Sequence, residues 1–274
     1  MPELPEVETV KRQLAPALTG RSITRARILD PLIVAPAAAA GFKKKIRGRQ
    51  ITEVGRRGKY LKVELDSGLT LVLHLRMTGR LIHADMPYNS VNKRHLRLYL
   101  WLDDGSGLAF YDQRRFGKAV LLEPTQAAAL WERLGPEPLE RSFSAVRLHR
   151  ILNGRQRPVK SLLLDQSLIA GIGNIYADEA LFRAGINPAR PANRISAAEA
   201  QRLCRAIKQT LRSAIRLEGS SVDTYRTARG ARGRFQKTFR VHRREGEPCP
   251  TCDGTVKKIR IAGRSTYFCP SCQR

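Results

Sequence analysis

Four cysteines near the C-terminus form two Cys-x-x-Cys pairs, Cys249 with Cys252 and Cys269 with Cys272, separated by sixteen residues. That interval is long enough for one β-hairpin, and four thiolates close a tetrahedral shell with no position left for water. One structural Zn2+ is therefore expected there, not a catalytic one. At the other end, the chain opens Met1-Pro2-Glu3. Removal of Met1 would leave Pro2 with a secondary amine, and α-amino groups titrate near about 7.7 to 8, so a useful fraction is neutral at physiological pH. A lysine, at about 10.4, first needs burial or a neighbouring charge. Such an amine can attack a sugar C1′ and form an iminium, with Glu3 beside it to move protons as the ring opens. Taken alone, the same residues read as a disordered N-terminus with two helix-starting prolines. A third feature is Gly171-Ile172-Gly173-Asn174, a glycine-rich turn before a helix expected from near Ile175 to Gly185, with Asn174 as its cap. Backbone amides at such a start suit a DNA phosphate, although a plain helix cap also accounts for the turn.

These groups need elements to hold them. Pro5 stands at a first helical turn, followed by Val7, Val10, Leu14 and Leu18 at helical spacing, so a short helix presents Pro2 and Glu3 at its mouth. Residues 22–123 read as short β-rich runs broken at Asp66-Ser67-Gly68 and Asp103-Asp104-Gly105, the pattern of an antiparallel sandwich or barrel. After Glu123 the texture turns helical, with a linker-like Gly135-Pro136-Glu137-Pro138 and Ser144 placed to cap a helix through Leu152. The clearest helix starts at the capping box of Ser196 and Glu199 and carries Leu203, Cys204, Ile207, Leu211 and Ile215 on one face until Gly219. Cys204 lies on that stripe and reads as a core thiol.

The 274 residues carry 50 Lys and Arg against 24 Asp and Glu, a formal charge of +26, while 42% are hydrophobic. A folded protein with a polyanionic partner follows, and nucleic acid is favoured over a membrane because no basic amphipathic helix stands out. From residue 219 onward thirteen basic residues face four acidic ones. The longest apolar run, residues 32–40, holds Pro36 and is too short for a bilayer. No charged start followed by an apolar stretch opens the chain either, so a cytoplasmic protein without membrane association is expected, and in a reducing compartment the paired cysteines read as metal ligands.

The residues then spell a family. The Met-Pro-Glu-Leu-Pro-Glu-Val-Glu-Thr start, Arg56-Arg57-Gly58-Lys59-Tyr60-Leu61, His74-Leu75-Arg76-Met77-Thr78-Gly79, Arg114-Arg115-Phe116-Gly117, Gly173-Asn174-Ile175-Tyr176-Ala177 and the four cysteines occur in the order seen in formamidopyrimidine-DNA glycosylases. The chain resembles that family over its whole length. The resemblance implies an α+β multidomain fold: an N-terminal antiparallel β-sandwich with a leading helix in residues 1–123, a linker with a short helix in 124–143, a helical helix-two-turn-helix domain with a lesion-capping loop in 144–235, and a zinc β-hairpin in 236–274. It implies excision of oxidised purines such as 8-oxoguanine and formamidopyrimidines from duplex DNA, then β,δ-elimination at the abasic site.

Within that resemblance Pro2 is the nucleophile and Glu3 the acid/base partner. Lys59 contacts the lesion-flanking phosphate and assists β-elimination, and Arg264 on the zinc hairpin assists δ-elimination. Met77, Arg114 and Phe116 fill the space left by an everted nucleotide. DNA contacts are implied at His74, Lys93, Arg155, Lys160 and Asn174. On residue type alone, without the resemblance, Met77 and Phe116 read as sandwich core, and the basic residues as solvated surface. Three positions depart from the family pattern: Gln113 where proline is common, Arg76 where a small residue is usual, and Lys93 where a histidine is frequent, with His95 nearby. The partner is damaged double-stranded DNA, bound by a monomer, with no nucleotide or redox cofactor. Rival readings are an endonuclease VIII-type enzyme for oxidised pyrimidines, a DNA-structure binder without chemistry, and a zinc-ribbon accessory protein of transcription.

Overall fold

The computed structural model describes residues 1–85 and 88–274. Two compact units emerge, Met1–Glu132 with Leu217–Arg234, and Arg133–Arg216 with Phe235–Arg274. In the first, helix α1 (Leu4–Leu18) follows the apolar spacing read from the sequence, since Val7, Val10, Leu14 and Leu18 are all buried. Pro5 sits in its first turn, where the missing N–H leaves no bond unmade. After α1 come β1 (Ser22–Ile28), α2 (Ala39–Ile46), β2 (Arg49–Arg57), β3 (Tyr60–Leu65), β4 (Thr70–His74), β5 (Arg80–Ala84), β6 (Leu96–Leu102), β7 (Gly107–Tyr111), β8 (Lys118–Leu122) and α3 (Pro124–Glu132).

The strands pair in the order β5-β7-β6-β1-β2-β3-β4-β8, each pair antiparallel. β1 and β2 meet only at Ser22↔Gln50 and Ile23↔Arg49, so the sheet divides there into two four-stranded halves. Leu98, Leu100 and Phe110 from one half and Leu61, Val63, Leu71 and Leu73 from the other enter one core with α1 and Phe42 of α2. That is the expected sandwich with a leading helix. Gly68 and Gly105 take positive φ in the two turns predicted from Asp-Ser-Gly and Asp-Asp-Gly.

The segment Leu217–Arg234 belongs to this first unit, whereas the sequence reading grouped it with the helices up to residue 235. The reason is packing that a linear pattern does not display. Tyr225 and Ala228 are buried in the sandwich core, and the His83 N–H on the outer strand β5 donates to Ala228 O at 3.0 Å. The segment thereby covers part of an edge strand that would otherwise offer unpaired backbone.

The second unit contains α4 (Ala145–Leu152), α5 (Val159–Leu164), α6 (Asn174–Ala184), α7 (Ala197–Arg216), β9 (Lys257–Ile261) and β10 (Arg264–Phe268). Ser144 caps α4 through Arg147 N at 3.1 Å, and the Ser196–Glu199 box opens α7 with bonds of 2.9 and 3.3 Å. α7 packs its apolar stripe on α4 and α6, and Cys204 is a buried core thiol there, its Sγ 3.9 Å from Phe143 O. α6 begins one residue earlier than expected: Gly173 is its cap residue and Asn174 its first helical residue, so the asparagine side chain is released from capping. Its end at Gly185, in the left-handed conformation, agrees with the sequence reading. β9 and β10 join through Ala262 and Gly263, both at positive φ, the geometry of a tight type I′ hairpin turn. Among the described residues no helix is long and apolar enough to cross a membrane.

Candidate nucleic-acid interface and catalytic site

Pro2 is buried and Glu3 is 2% exposed, while Met1 stands out at 45%. Glu6, three residues on, fixes this end of α1: its Oε2 accepts from Glu3 N at 2.8 Å and its Oε1 from Ser220 N at 2.7 Å. One carboxylate thus holds both the peptide following Pro2 and the loop that the resemblance places over a flipped base. Gly219 passes so close to Glu6 that an added Cβ would lie 2.8 Å from Oε1, and its φ of +79 already favours glycine. Glu6 was not singled out from the sequence, yet the Glu3-x-x-Glu6 spacing, a capping-box signature, was visible there.

Lys59 lies in the turn between β2 and β3, 6% exposed. A relay from α1 sets that turn. Arg56 Nε is 3.0 Å from Glu8 Oε2, and Arg56 NH1 donates to Gly58 O at 3.0 Å, one residue before Lys59. Burial disfavours the Glu8 carboxylate, but Arg12 and Arg56 outweigh it and leave its pKa below the ordinary value. His74 stands opposite Tyr60 in the β3–β4 register and is 7% exposed. Burial, reinforced by the charges of Arg76 and Lys59, lowers its pKa to about 3, so its ring is neutral at physiological pH. Nδ1 accepts from Arg76 N at 2.9 Å, which leaves the ring proton on Nε2 as a neutral donor.

Met77, Arg114 and Phe116 come together on an exposed tip. Met77 and Phe116 are 41% and 50% exposed, so neither is sandwich core. Arg114 Cζ lies 4.9 Å from the centre of the Phe116 ring, and Arg114 NH1 is 3.4 Å from Met77 Sδ. Buried Asp112 holds the two loops in register. It accepts from Thr78 Oγ1, from Arg114 N at 3.2 Å and from Gly117 N at 2.6 Å. The Asp112–Arg114 bond makes an Asx-type turn that needs no proline at Gln113. Arg76 adopts φ +49, the left-handed region, where glycine is the least strained residue. Lys93 is exposed, donates to Tyr88 O and lies 3.6 Å from the centre of the Tyr88 ring.

In the second unit one sequence expectation is corrected. Lys160, expected against the DNA backbone, is 0% exposed and lies 2.6 Å from Asp178 Oδ1. It donates to Thr266 Oγ1 at 2.8 Å and to Ser265 O at 3.2 Å. A cation so enclosed has no surface to offer a phosphate; it fixes β10 to the helices instead. Asp178 Oδ2 also engages His242 Nδ1 at 2.8 Å, and neighbouring Glu179 accepts from the backbone of Arg240, Val241 and His242. Asn174 Nδ2 donates to the same Ser265 O at 2.9 Å. Arg264, the adjacent residue, opens β10 and is exposed. Arg155 is exposed, its NH1 bonded to Ile151 O at 2.6 Å. Replacing Asp178 by Ala should strand the buried ammonium of Lys160 and lower stability by about 3 to 5 kcal/mol. Calorimetry checks it, and the pair Lys160→Met with Asp178→Leu should recover much of the loss.

Sγ atoms of Cys249, Cys252, Cys269 and Cys272 lie within 4.8 Å of one another. Cys249–Cys272, Cys252–Cys269 and Cys252–Cys272 are 3.8, 3.6 and 3.3 Å apart. A tetrahedral zinc with ligands at about 2.3 Å has sulfur–sulfur edges of about 3.8 Å, and a disulfide would need about 2.05 Å. The four side chains therefore fit a structural Zn2+. Gln273 supports the cluster by accepting from Cys269 N at 2.9 Å and donating to Ile186 O at 2.8 Å, beyond the end of α6.

Comparison with known proteins finds one family along most of the chain. Residues 1–119 match the family model for the formamidopyrimidine-DNA glycosylase N-terminal domain, residues 134–226 that for its H2TH domain, and residues 246–274 that for a zinc finger found in FPG and IleRS. The chain is 48% identical over 274 residues to the formamidopyrimidine-DNA glycosylase of Chloroflexus aurantiacus, covering 100% of this chain and 98% of that one. Identity to the Heliobacterium modesticaldum protein of the same name is 46% over 279 residues, with both covered in full. Among solved structures, a point mutant of Lactococcus lactis FPG in complex with Fapy-dG-containing DNA superposes with a TM-score of 0.92 at 35% identity over 100% of both chains. A complex of the Lactococcus lactis protein with abasic-site DNA gives 0.91 at 35% over 99% of both.

Proposed function

The chain belongs to the formamidopyrimidine-DNA glycosylase family, DNA glycosylases of base excision repair, and from that premise we propose that it excises oxidised purines and cuts the strand through an imine at Pro2. The observation that carries the reading is the buried Pro2-Glu3 step at the mouth of α1, tied by Glu6 to the 217–234 segment. With Met1 removed, the Pro2 nitrogen attacks C1′ of the damaged nucleoside, the N-glycosidic bond breaks, and the base leaves with a proton. Glu3 protonates O4′ as the sugar ring opens, giving the iminium. Loss of a proton from C2′ then expels the 3′ phosphate, and a second elimination expels the 5′ phosphate. Lys59 and Arg264 supply positive charge to those leaving groups.

Each other contact has a defined part. The exposed Met77–Arg114–Phe116 tip enters the duplex where the nucleotide is everted, with His74 as a neutral donor and Asn174, Arg155 and Lys93 along the backbone. The four cysteines would hold a structural Zn2+, which would stabilise the hairpin bearing Arg264 and, with its shell closed by four thiolates, would supply no chemistry to the reaction. Borohydride trapping tests the proposal on a duplex with one 8-oxoguanine opposite cytosine. Wild-type protein with Met1 verified absent should give an adduct that requires the lesion and is lost in Pro2→Gly. If that protein, with zinc bound, traps neither this substrate nor an abasic site, the imine mechanism is wrong and a DNA-structure binder takes its place.

A further inference from the structure

Strand β1 turns a second basic row outward. Ala26 enters the core while Arg25 and Arg27 on either side are exposed, and residues two apart on a strand stand about 7 Å from each other on one face. α2 packs beside β1 with Phe42 and Ile46 buried, which leaves Lys43 and Arg47 on the rim. Thr24, Arg25, Ala26 and Arg27 line an open groove with Lys43 and Arg47. A second hollow shares Arg25 and Arg27 and continues over Tyr88, Asn89, Trp101 and Gly105. The strip is therefore continuous from α2 across β1 to Tyr88, the residue against which Lys93 lies.

The arginines are held in place from beneath. Arg25 Cζ lies 5.0 Å from the Trp101 ring centre and Arg27 Cζ 5.4 Å from that of Tyr88. Tyr88, Tyr99 and Trp101 pack together at 4.7 to 4.9 Å, which makes a firm base. Among the described residues Arg25, Arg27, Lys43 and Arg47 form no ion pair, whereas Lys45 of the same helix meets Glu123 at 2.9 Å. Desolvation first, then the charge of Arg27, lowers the pKa of Lys93. Collecting cations in this way destabilises the free protein and is relieved by a polyanion.

The chemistry narrows that polyanion. Cations lie over the aromatic faces, so no open platform remains for unpaired bases. Guanidinium and ammonium ends are what the groove offers, and they suit phosphate oxygens without regard to sequence. Among the described residues that line the groove there is no exposed aliphatic side chain to enter a bilayer. We propose that the β1–α2 groove is an accessory site for the backbone phosphates of undamaged duplex DNA, continuing the strand path expected at Lys93 and separate from the excision machinery. The inference rests on the reading above that DNA is the substrate. Its use is to hold flanking duplex while damage is sought.

The test is the salt dependence of binding by wild type and the triple variant Arg25→Gln, Arg27→Gln, Arg47→Gln, on undamaged duplexes of about 12 and about 30 base pairs. Each lost phosphate contact lowers the slope of log K against log salt by about 0.9, so the longer duplex should show a slope shallower by about 2 to 3. The short duplex should show no change, and excision from a short lesion duplex should proceed at the wild-type rate. Equal slopes on the longer duplex overturn the proposal. So does a matching loss on the short duplex with slowed excision, which would place the arginines inside the excision footprint. An unchanged DNA slope with lost binding to phosphatidylserine vesicles would assign the groove to lipid. Should wild type excise no lesion, the repair reading falls, while the slopes on undamaged DNA still decide the groove.

Discussion

Glu3→Gln is expected to slow release of the damaged base by about 10²- to 10⁴-fold, the usual worth of a positioned acid/base group, while trapping on a preformed abasic site changes little. The difference follows from where protons are needed. Base release through attack of Pro2 opens the deoxyribose ring, and the departing O4′ must be protonated; glutamine keeps the size of the side chain but carries no transferable proton. An abasic site already equilibrates with its open aldehyde, so the amine condenses with less help. Because Glu3 is 2% exposed, bulk water cannot readily substitute for it. Its backbone N–H bond to Glu6 does not involve the Glu3 side chain, and a glutamine oxygen can still accept from the Glu6 N–H in the capping box, so the substitution leaves the entry into α1 in place. Single-turnover rates on 8-oxoguanine and abasic duplexes make the comparison. Equal losses on both substrates would mean that Glu3 supports the fold or the binding, not the proton transfer.

Much of this site was legible because its signals are local. The apolar spacing of α1, the capping boxes and the cysteine spacing each fix an element within a few residues, and all of them reappear in the structure. The ordered family motifs gave the sandwich, the helices and the hairpin. Lys160 shows where that legibility ends. A lysine in a basic sequence reads as surface, and nothing beside it in the chain announces Asp178 on the next helix or Thr266 on the hairpin, the partners that make its burial tolerable. The packing of segment 217–234 was hidden for the same reason, since Tyr225 reaches the sandwich core only through tertiary packing. Met77 and Phe116 were ambiguous by type, and exposure resolved them toward the tip. Arg76 departs from the family pattern although its positive φ favours glycine, a backbone constraint that residue type alone does not reveal.

Removing the metal ligands should have the largest structural effect. A two-stranded hairpin is marginal by itself, and the cluster around it is small: Phe182, Val241, Cys249, Val256 and Cys269 are its buried members. In zinc-finger peptides metal binding supplies about 10 to 16 kcal/mol, whereas even stranding one partner of a buried ion pair such as Lys160–Asp178 costs only about 3 to 5 kcal/mol and the intact pair contributes less. That link therefore cannot by itself keep β9 and β10 ordered once the thiolates are uncoordinated. Arg264 and Ser265, which accepts from both Lys160 and Asn174, would then lose their positions. Cys252→Ser, or exhaustive chelation, should abolish stoichiometric zinc and add an early transition on heating. Binding to an abasic duplex should fall by more than about tenfold, since several phosphate contacts disappear together. Cys252→His provides the decisive control, because three thiolates and an imidazole still make a tetrahedral zinc shell. It should restore metal content and much of the binding, which a merely packed cysteine would not explain. Chelated protein that binds and traps abasic DNA as well as the zinc form would show the hairpin to be dispensable and would remove Arg264 from the proposed chemistry.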